Sequence, residues 1–241
     1  WQARSGSARH DAVAWGYARA CTDMGMHILQ KTEVTGITQS AGNVTGVETS
    51  RGHIACKKLG MVVAGHASVV ANMAGFQLPI ESVPLQALVS EPIKPCMDVV
   101  VMANTVHGYM SQSDKGEMVI GGGTDAYNAY TERGSLHHLE ETVRALIETF
   151  PMVSRLKMLR HWGGIVDVTG DRSPILSKTP LGNTFINCGW GTGGFKAIPG
   201  SGWGFAELMA KGESPLTDQF GLDRFRAGRF IDESVAAGVA H

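Results

Sequence analysis

Apolar residues at Val13, Tyr17, Cys21 and Met24 recur at helical steps, which predicts a helix from Asp11 to Met24. Asp11 stands where it would cap the first turn, and Gly25 ends the element. The apolar run Met26 to Lys31 then reads as a strand. Alternating β-branched residues follow in Glu33 to Gln39 and Asn43 to Thr49, separated by Ser-Ala-Gly, as expected of adjacent antiparallel strands. His53 to Cys56 continues this meander. The continuous apolar run Leu59 to Gly65 reads as a buried strand, and Ser68 to Met73 as a short helix.

From Pro84 to Gly123 the pattern changes to three alternating segments, Leu85 to Ser90, Val99 to Met102 and Glu117 to Ile120, which predict a second and largely antiparallel sheet. Ser135 caps a predicted helix from Leu136 to Phe150, with Leu139, Val143, Leu146 and Phe150 on one face, and Pro151 stops it. On this reading, His137 and His138 lie on the solvated side. Leu156 to Val168 is a strand, Asp171 to Pro174 a turn and Ile175-Leu176 a short strand. Asn183 to Cys188 is a buried strand that enters a glycine-rich stretch, Gly189 to Gly202, followed by a helix over Trp203 to Gly212. From Ser214 onward the helical content is weak.

A strand, a glycine-rich turn and a helix bring backbone N–H groups and a helix N-terminus against an anion or a flat cofactor. Tight packing alone is the other reading of that stretch. The fold class is α/β in a mixed α+β arrangement. It comprises a cofactor domain, discontinuous in sequence over 1–81 and 159–241, and a mainly antiparallel substrate-domain sheet over 82–158.

Composition narrows the classes. A chain of 241 residues, 43% apolar and 18% charged, builds an ordinary globular core. The 31 glycines fit a protein with many close backbone approaches. A net charge of −1 argues against a nucleic-acid or anionic-membrane partner. The four cysteines, Cys21, Cys56, Cys96 and Cys188, are widely spaced, which fits reduced thiols in the cytoplasm. No apolar run approaches the ~20 residues of a membrane span. The first residues lack an initiator Met and read as the interior of a longer chain, whose own N-terminus would carry the GxGxxG turn absent here.

Among candidate residues, His10 follows Arg9 and precedes Asp11 at a helix start; it is either a surface histidine or one oriented by the adjacent carboxylate. Lys196 lies within the glycine-rich stretch. It either faces solvent or holds a substrate carboxylate or the electron-rich end of a flavin. His27, His53, His66, His107 and His161 are scattered, without H-x₃-H or HExxH spacing, so a catalytic metal is not expected. Carboxylates are few in the candidate site regions, and no GxSxG elbow occurs.

The pieces Ser7-Ala-Arg-His-Asp-Ala-Val-Ala-Trp-Gly-Tyr-Ala-Arg19, Val62-Val-Ala-Gly65 and Gly-Gly-Phe-Lys within Gly189 to Gly202 resemble one flavoprotein family, that of glycine oxidase and D-amino-acid oxidase. Within it they are similar to the β subunits of heterotetrameric sarcosine oxidases, over roughly their C-terminal three-fifths. The resemblance implies non-covalent FAD and an FMN attached covalently to His10. It implies Lys196 at the flavin and the substrate carboxylate, Gly191 and Gly194 approaching FAD, and Val34 at its adenosine end. It further implies oxidation of sarcosine at FAD, with electrons passed to FMN and O₂ to give glycine, formaldehyde or 5,10-methylenetetrahydrofolate, and hydrogen peroxide. The implied partners are α, γ and δ subunits, with tetrahydrofolate and NAD in a partner subunit. Without an N-terminal dinucleotide turn, the chain alone is expected to be inactive. Two rival readings are a related proline, dimethylglycine or hydrogen-cyanide-type dehydrogenase subunit without covalent FMN, and a cofactor-free interaction domain.

Overall fold

The β-branched alternation around Ala41-Gly42 folds into a hairpin of β1 (Val34–Ser40) and β2 (Asn43–Thr49). Ala41 and Gly42 both have positive φ, 49° and 76°, the backbone twist that two-residue hairpins favour. β3 (Gly52–Ala55) completes an antiparallel meander in the order β1-β2-β3. The computed structural model describes residues 6–103 and 108–231.

A second sheet joins β4 (Leu59–Met61), β10 (Ile175–Lys178) and β11 (Thr184–Cys188) in the order β10-β11-β4, with β11 and β4 parallel. Every residue of β11 is buried, which explains its unbroken Thr-Phe-Ile-Asn-Cys sequence. One side packs Met61, Ile175, Ile186 and Cys188 against Ala67 and Ala71 of α2 (Ala67–Met73). Phe185 packs instead with Phe205 and Leu208 of α4 (Gly194–Lys211). The Asn183 amide ties this sheet to the meander: its oxygen accepts from Val44 N–H at 2.8 Å, and its NH₂ donates to the carbonyls of Val44 and Lys57.

The third sheet is antiparallel throughout. Its order is β6-β7-β8-β5-β9, from β5 (Ile80–Pro92), β6 (Val101–Ala103), β7 (Gly108–Gln112), β8 (Glu117–Thr124) and β9 (Met158–Thr169). β5 and β9 pair from Ile80 opposite Thr169 to Ser90 opposite Met158. One face is covered by α3 (Leu136–Thr149), where Leu88, Met110, Met118, Ile120 and Leu146 are fully buried. Ser135 caps α3, accepting from His138 N–H. The Gln86 amide fixes that cap to the sheet: its oxygen accepts from Ser135 N–H at 2.8 Å, and its NH₂ donates to Asp125.

Several elements differ from their sequence patterns. Residues 26–31 form no strand; Met26, Ile28 and Leu29 are exposed, and no described strand pairs with them. The strand expected over 59–65 ends at Met61, and β7 appears where no strand is expected. α4 begins at Gly194 rather than Trp203 and runs through Pro199. Burial of Phe205 and Leu208 outweighs the poor helix propensity of its glycine-rich first half. His138, expected in solvent, is 6% exposed against the sheet, whereas His137 is open and pairs with Glu141. His107 and the tail beyond residue 231 lie outside the described residues.

Candidate functional site

Because β4 and β11 run parallel, the turns after them leave the sheet at the same end, at Gly65 and at Gly189 to Gly193. The carboxyl ends of parallel strands are where open α/β sheets receive ligands. Gly189 (φ 72°) and Gly191 (φ 50°) both adopt the left-handed region. At Gly189 a Cβ would meet Thr169 Cγ2 at 2.8 Å, so packing as well as conformation requires glycine. At Gly191 a Cβ would find only the Asp167 carbonyl, at 4.0 Å, so this backbone is open to a close approach. Trp190 braces the turn by donating from Nε1 to Asn187 Oδ1 at 2.6 Å, and its carbonyl accepts from Gly193 N–H.

The turn delivers the chain into α4, whose N-cap Gly193 supplies no side-chain hydrogen bond and whose first turn holds no acidic residue. The leading N–H groups of a helix lack intrahelical partners and carry partial positive charge. Lys196 lies in this first turn, exposed, with no ion pair among the described residues. A cation beside the positive end of a helix is unfavourable by itself. An anionic or electron-rich group bound there would be complementary to both. The observed geometry therefore brings Gly191, Gly194 and Lys196 together in one turn and helix start.

It does not gather the remaining candidates there. His10 is the first residue of α1 (His10–Asp23), a helix with no buried residue, and is exposed. Its neighbour Asp11 does not cap the helix: the N-cap is Arg9, which makes no side-chain cap bond. The Asp11 carboxylate instead accepts from Ala12 N–H and from the Arg9 guanidinium, and these two bonds hold its pKa below the ordinary value. Arg9 also reaches Asp114 in the β7–β8 turn at 3.8 Å. Val34 opens β1, half-buried opposite Thr49.

Two buried carboxylates escaped the sequence reading. Asp167 on β9 is 2% exposed and accepts from Gly65 N–H at 2.9 Å and Ser82 Oγ at 2.8 Å; its main-chain carbonyl accepts from Gly191 N–H. Burial and the nearby Asp167 charge push the Cys188 thiol, just before the glycine turn, up to about 12. Asp171 forms a two-pronged pair with Arg224 of α5 (Asp223–Arg226), at 2.7 and 3.0 Å. Burial raises the Asp171 pKa, but Arg224 and the amides of Ile231 and Ser173 outweigh it and bring the carboxyl down to about 2. The only local signal for Asp167 is a lone acid within the apolar strand Gly-Ile-Val-Asp-Val-Thr. Among the described residues no cluster of three or more His, Cys, Asp or Glu is arranged to hold a metal, and no helix is long and apolar enough to cross a membrane.

A mixed α/β chain in which a glycine turn leads from a buried strand into a helix start presents backbone amides to an anionic or flat group. Residues 1–208 match the FAD dependent oxidoreductase family, and the chain belongs to it. Within that class, a Rhodobacter capsulatus protein named Sarcosine oxidase subunit beta is 75% identical over 240 residues, covering 100% of this chain and 58% of its own length. The protein of the same name from an Arthrobacter species is 52% identical, covering 100% of this chain and 60% of its own length. The chain thus spans somewhat under two thirds of these relatives. L-proline dehydrogenase from P. horikoshii superposes with a TM-score of 0.85 at 26% identity, over 91% of this chain and 60% of that one. Glycine oxidase from Geobacillus kaustophilus shares the fold, with a TM-score of 0.78, over 88% of this chain and 57% of that one.

Proposed function

We propose that this chain belongs to an FAD-dependent subunit that oxidises sarcosine within a multi-subunit enzyme containing α, γ and δ partners. The observation that carries this reading is Lys196, exposed at the uncapped start of α4 behind an open glycine turn; the names of the most similar relatives supply the substrate. FAD held beside Gly191 and Gly194 would supply a hydride acceptor for the N-methyl carbon, and FMN on His10 would supply an electron relay to O₂, with water or tetrahydrofolate taking up the resulting imine carbon, so that the products would be glycine, formaldehyde or 5,10-methylenetetrahydrofolate, and hydrogen peroxide. The chain's own part is binding and orientation. Gly191 and Gly194 allow the backbone against the ring, and the leading amides of α4 stabilise its electron-rich edge. Lys196 holds the substrate carboxylate, which fixes the amine over the ring. Val34 meets the adenosine end of FAD, and the exposed His10 imidazole provides the covalent attachment for FMN.

The division into a cofactor domain (1–81 and 159–241) and a substrate domain (82–158) belongs to the same proposal, with β9 passing from one to the other. The face of the five-stranded sheet turned away from α3 carries Tyr109, whose ring lies against Gly121, together with Trp162. It forms the substrate-side wall. Tetrahydrofolate and NAD are assigned to a partner subunit, the cytoplasm is the proposed location, and the chain alone is proposed to be inactive.

The test uses the full-length subunit co-expressed with its partners. Flavin should remain with the acid-precipitated protein and be lost from that precipitate in His10→Ala, while the extractable FAD stays. Lys196→Met should raise KM for sarcosine by at least about tenfold, the scale of one charge-assisted hydrogen bond. Fully extractable flavin in the parent overturns the FMN assignment. It would favour the second reading, a dehydrogenase without covalent FMN, which the close superposition on L-proline dehydrogenase supports.

A further inference from the structure

Three bonds converge on Asp167. Its side chain takes the Gly65 N–H on one oxygen and the Ser82 hydroxyl on the other, and its main-chain carbonyl takes the Gly191 N–H. Gly65 belongs to the turn after β4 and Gly191 to the turn after β11, two parallel neighbours, while Asp167 itself lies in the third sheet. One residue of the third sheet thus ties together both turns at the ligand-receiving end of the second.

The contacts around it are close. Gly65 has φ 81°, and a Cβ there would meet the Ile165 carbonyl at 2.9 Å, so the first turn is pressed directly against β9. The carboxylate is 2% exposed and has no ion-pair partner among the described residues. Burying such a group is costly unless hydrogen bonds compensate. Plain packing would be served better by an apolar residue of similar volume. A valine or leucine at this position would, however, leave the Gly65 N–H without an acceptor inside the protein, and the turn would have no fixed distance from β9.

We propose that Asp167 is the positioning residue of the cofactor site, setting the spacing between the Gly65 turn and the Gly191 turn that receive the flavin. This inference rests on the FAD reading above. The carboxylate acts on Gly65 directly. It acts on Gly191 indirectly, by holding the main chain of β9 so that its carbonyl meets the Gly191 amide. Asparagine can preserve the arrangement, because its amide oxygen accepts from Gly65 N–H and its NH₂ donates to Ser82 Oγ. Alanine cannot.

The experiment compares Asp167→Ala, Asp167→Asn and a core control, Leu146→Val, in the full-length subunit with its partners. It reads FAD affinity by titrating the apoprotein, and amide hydrogen exchange at Gly65 and Gly191. Asp167→Ala should weaken FAD binding by about tenfold or more and accelerate exchange at both glycines. Asp167→Asn should restore both readouts to within about threefold of the parent. Leu146→Val, which lowers Tm from the far face of the sheet, should leave both unchanged. If Asp167→Ala does not fold, Ser82→Ala removes one of the two donors and should weaken FAD binding about threefold.

Unaltered exchange at Gly191 in Asp167→Ala overturns the inference. So does an asparagine variant as impaired as alanine, or an equal loss of FAD affinity in Leu146→Val. A parent protein that takes up no FAD overturns the functional reading and this inference together; it is recognised because every variant is then equally colourless.

Discussion

Between the five-stranded sheet and α3, Leu88, Met110, Met118, Ile120 and Leu146 are fully buried and set the spacing chiefly by side-chain volume, with the Gln86 amide holding the start of the helix. At the carboxyl end of the three-stranded sheet, Asp167, Ser82, Thr169, Ser173, Asp171 and Arg224 are buried, and hydrogen bonds rather than side-chain volume set the spacing. The first region places a rigid wall. The second displays backbone amides and a lysine at defined positions, which apolar packing alone does not do, because it has no directional preference. Of the two, the polar region should be less tolerant of losing a single atom pair, and the apolar region less closely linked to the cofactor.

The largest expected effect is in the polar region. Arg224→Met leaves Asp171 buried beside a neutral chain and removes the bond to the Ser173 carbonyl; it should cost about 4 kcal/mol in urea unfolding. A loss below about 1 kcal/mol would mean that the pair is not what secures the C-terminal segment. Next comes Leu146→Ala, which opens a cavity under α3 and should cost about 3 kcal/mol while leaving FAD affinity untouched. A parallel fall in FAD affinity would erase the distinction between the two regions.

The smallest effect is set by pH. The folded Asp171 carboxyl lies near 2, below its ordinary 3.8, so its contribution is complete above pH 3.8 and is lost as the pH falls towards 2. At about 1.4 kcal/mol per unit, this amounts to about 2 kcal/mol. Unfolding measured between pH 5 and 2 should show the loss in the parent and not in Arg224→Met. An equal acid response in both would assign it to other carboxylates.

Legibility in the sequence followed the same division. The α3 stripe, its Ser135 cap and the Pro151 stop are local patterns, and the structure bears out each within a residue or so. The meander was equally plain from its alternation. The glycine turn and helix start that hold Gly191, Gly194 and Lys196 are legible as a unit because these residues are neighbours in the chain. What stayed hidden depends on distant partners. Asp167 meets Gly65 across 102 positions and Arg224 meets Asp171 across 53, and no periodicity records such meetings. The early start of α4 is not legible because glycines and a proline argue for a turn, while the residues that hold the helix, Phe205 and Leu208, come about three turns or more later. His138 was misplaced for a related reason. Its neighbour His137 shares its chemistry, and only the sheet above decides which of the two is covered.

Cys188 has a practical consequence. The other three thiols are exposed or half-buried, whereas this one is enclosed and raised to about 12, directly ahead of the glycine turn. A thiolate-seeking reagent near neutrality will modify Cys188 only when that end of the three-stranded sheet has come apart. The chain therefore carries its own timer for the opening of the segment that the flavin is proposed to occupy, readable by mass as a fourth adduct arriving after the other three.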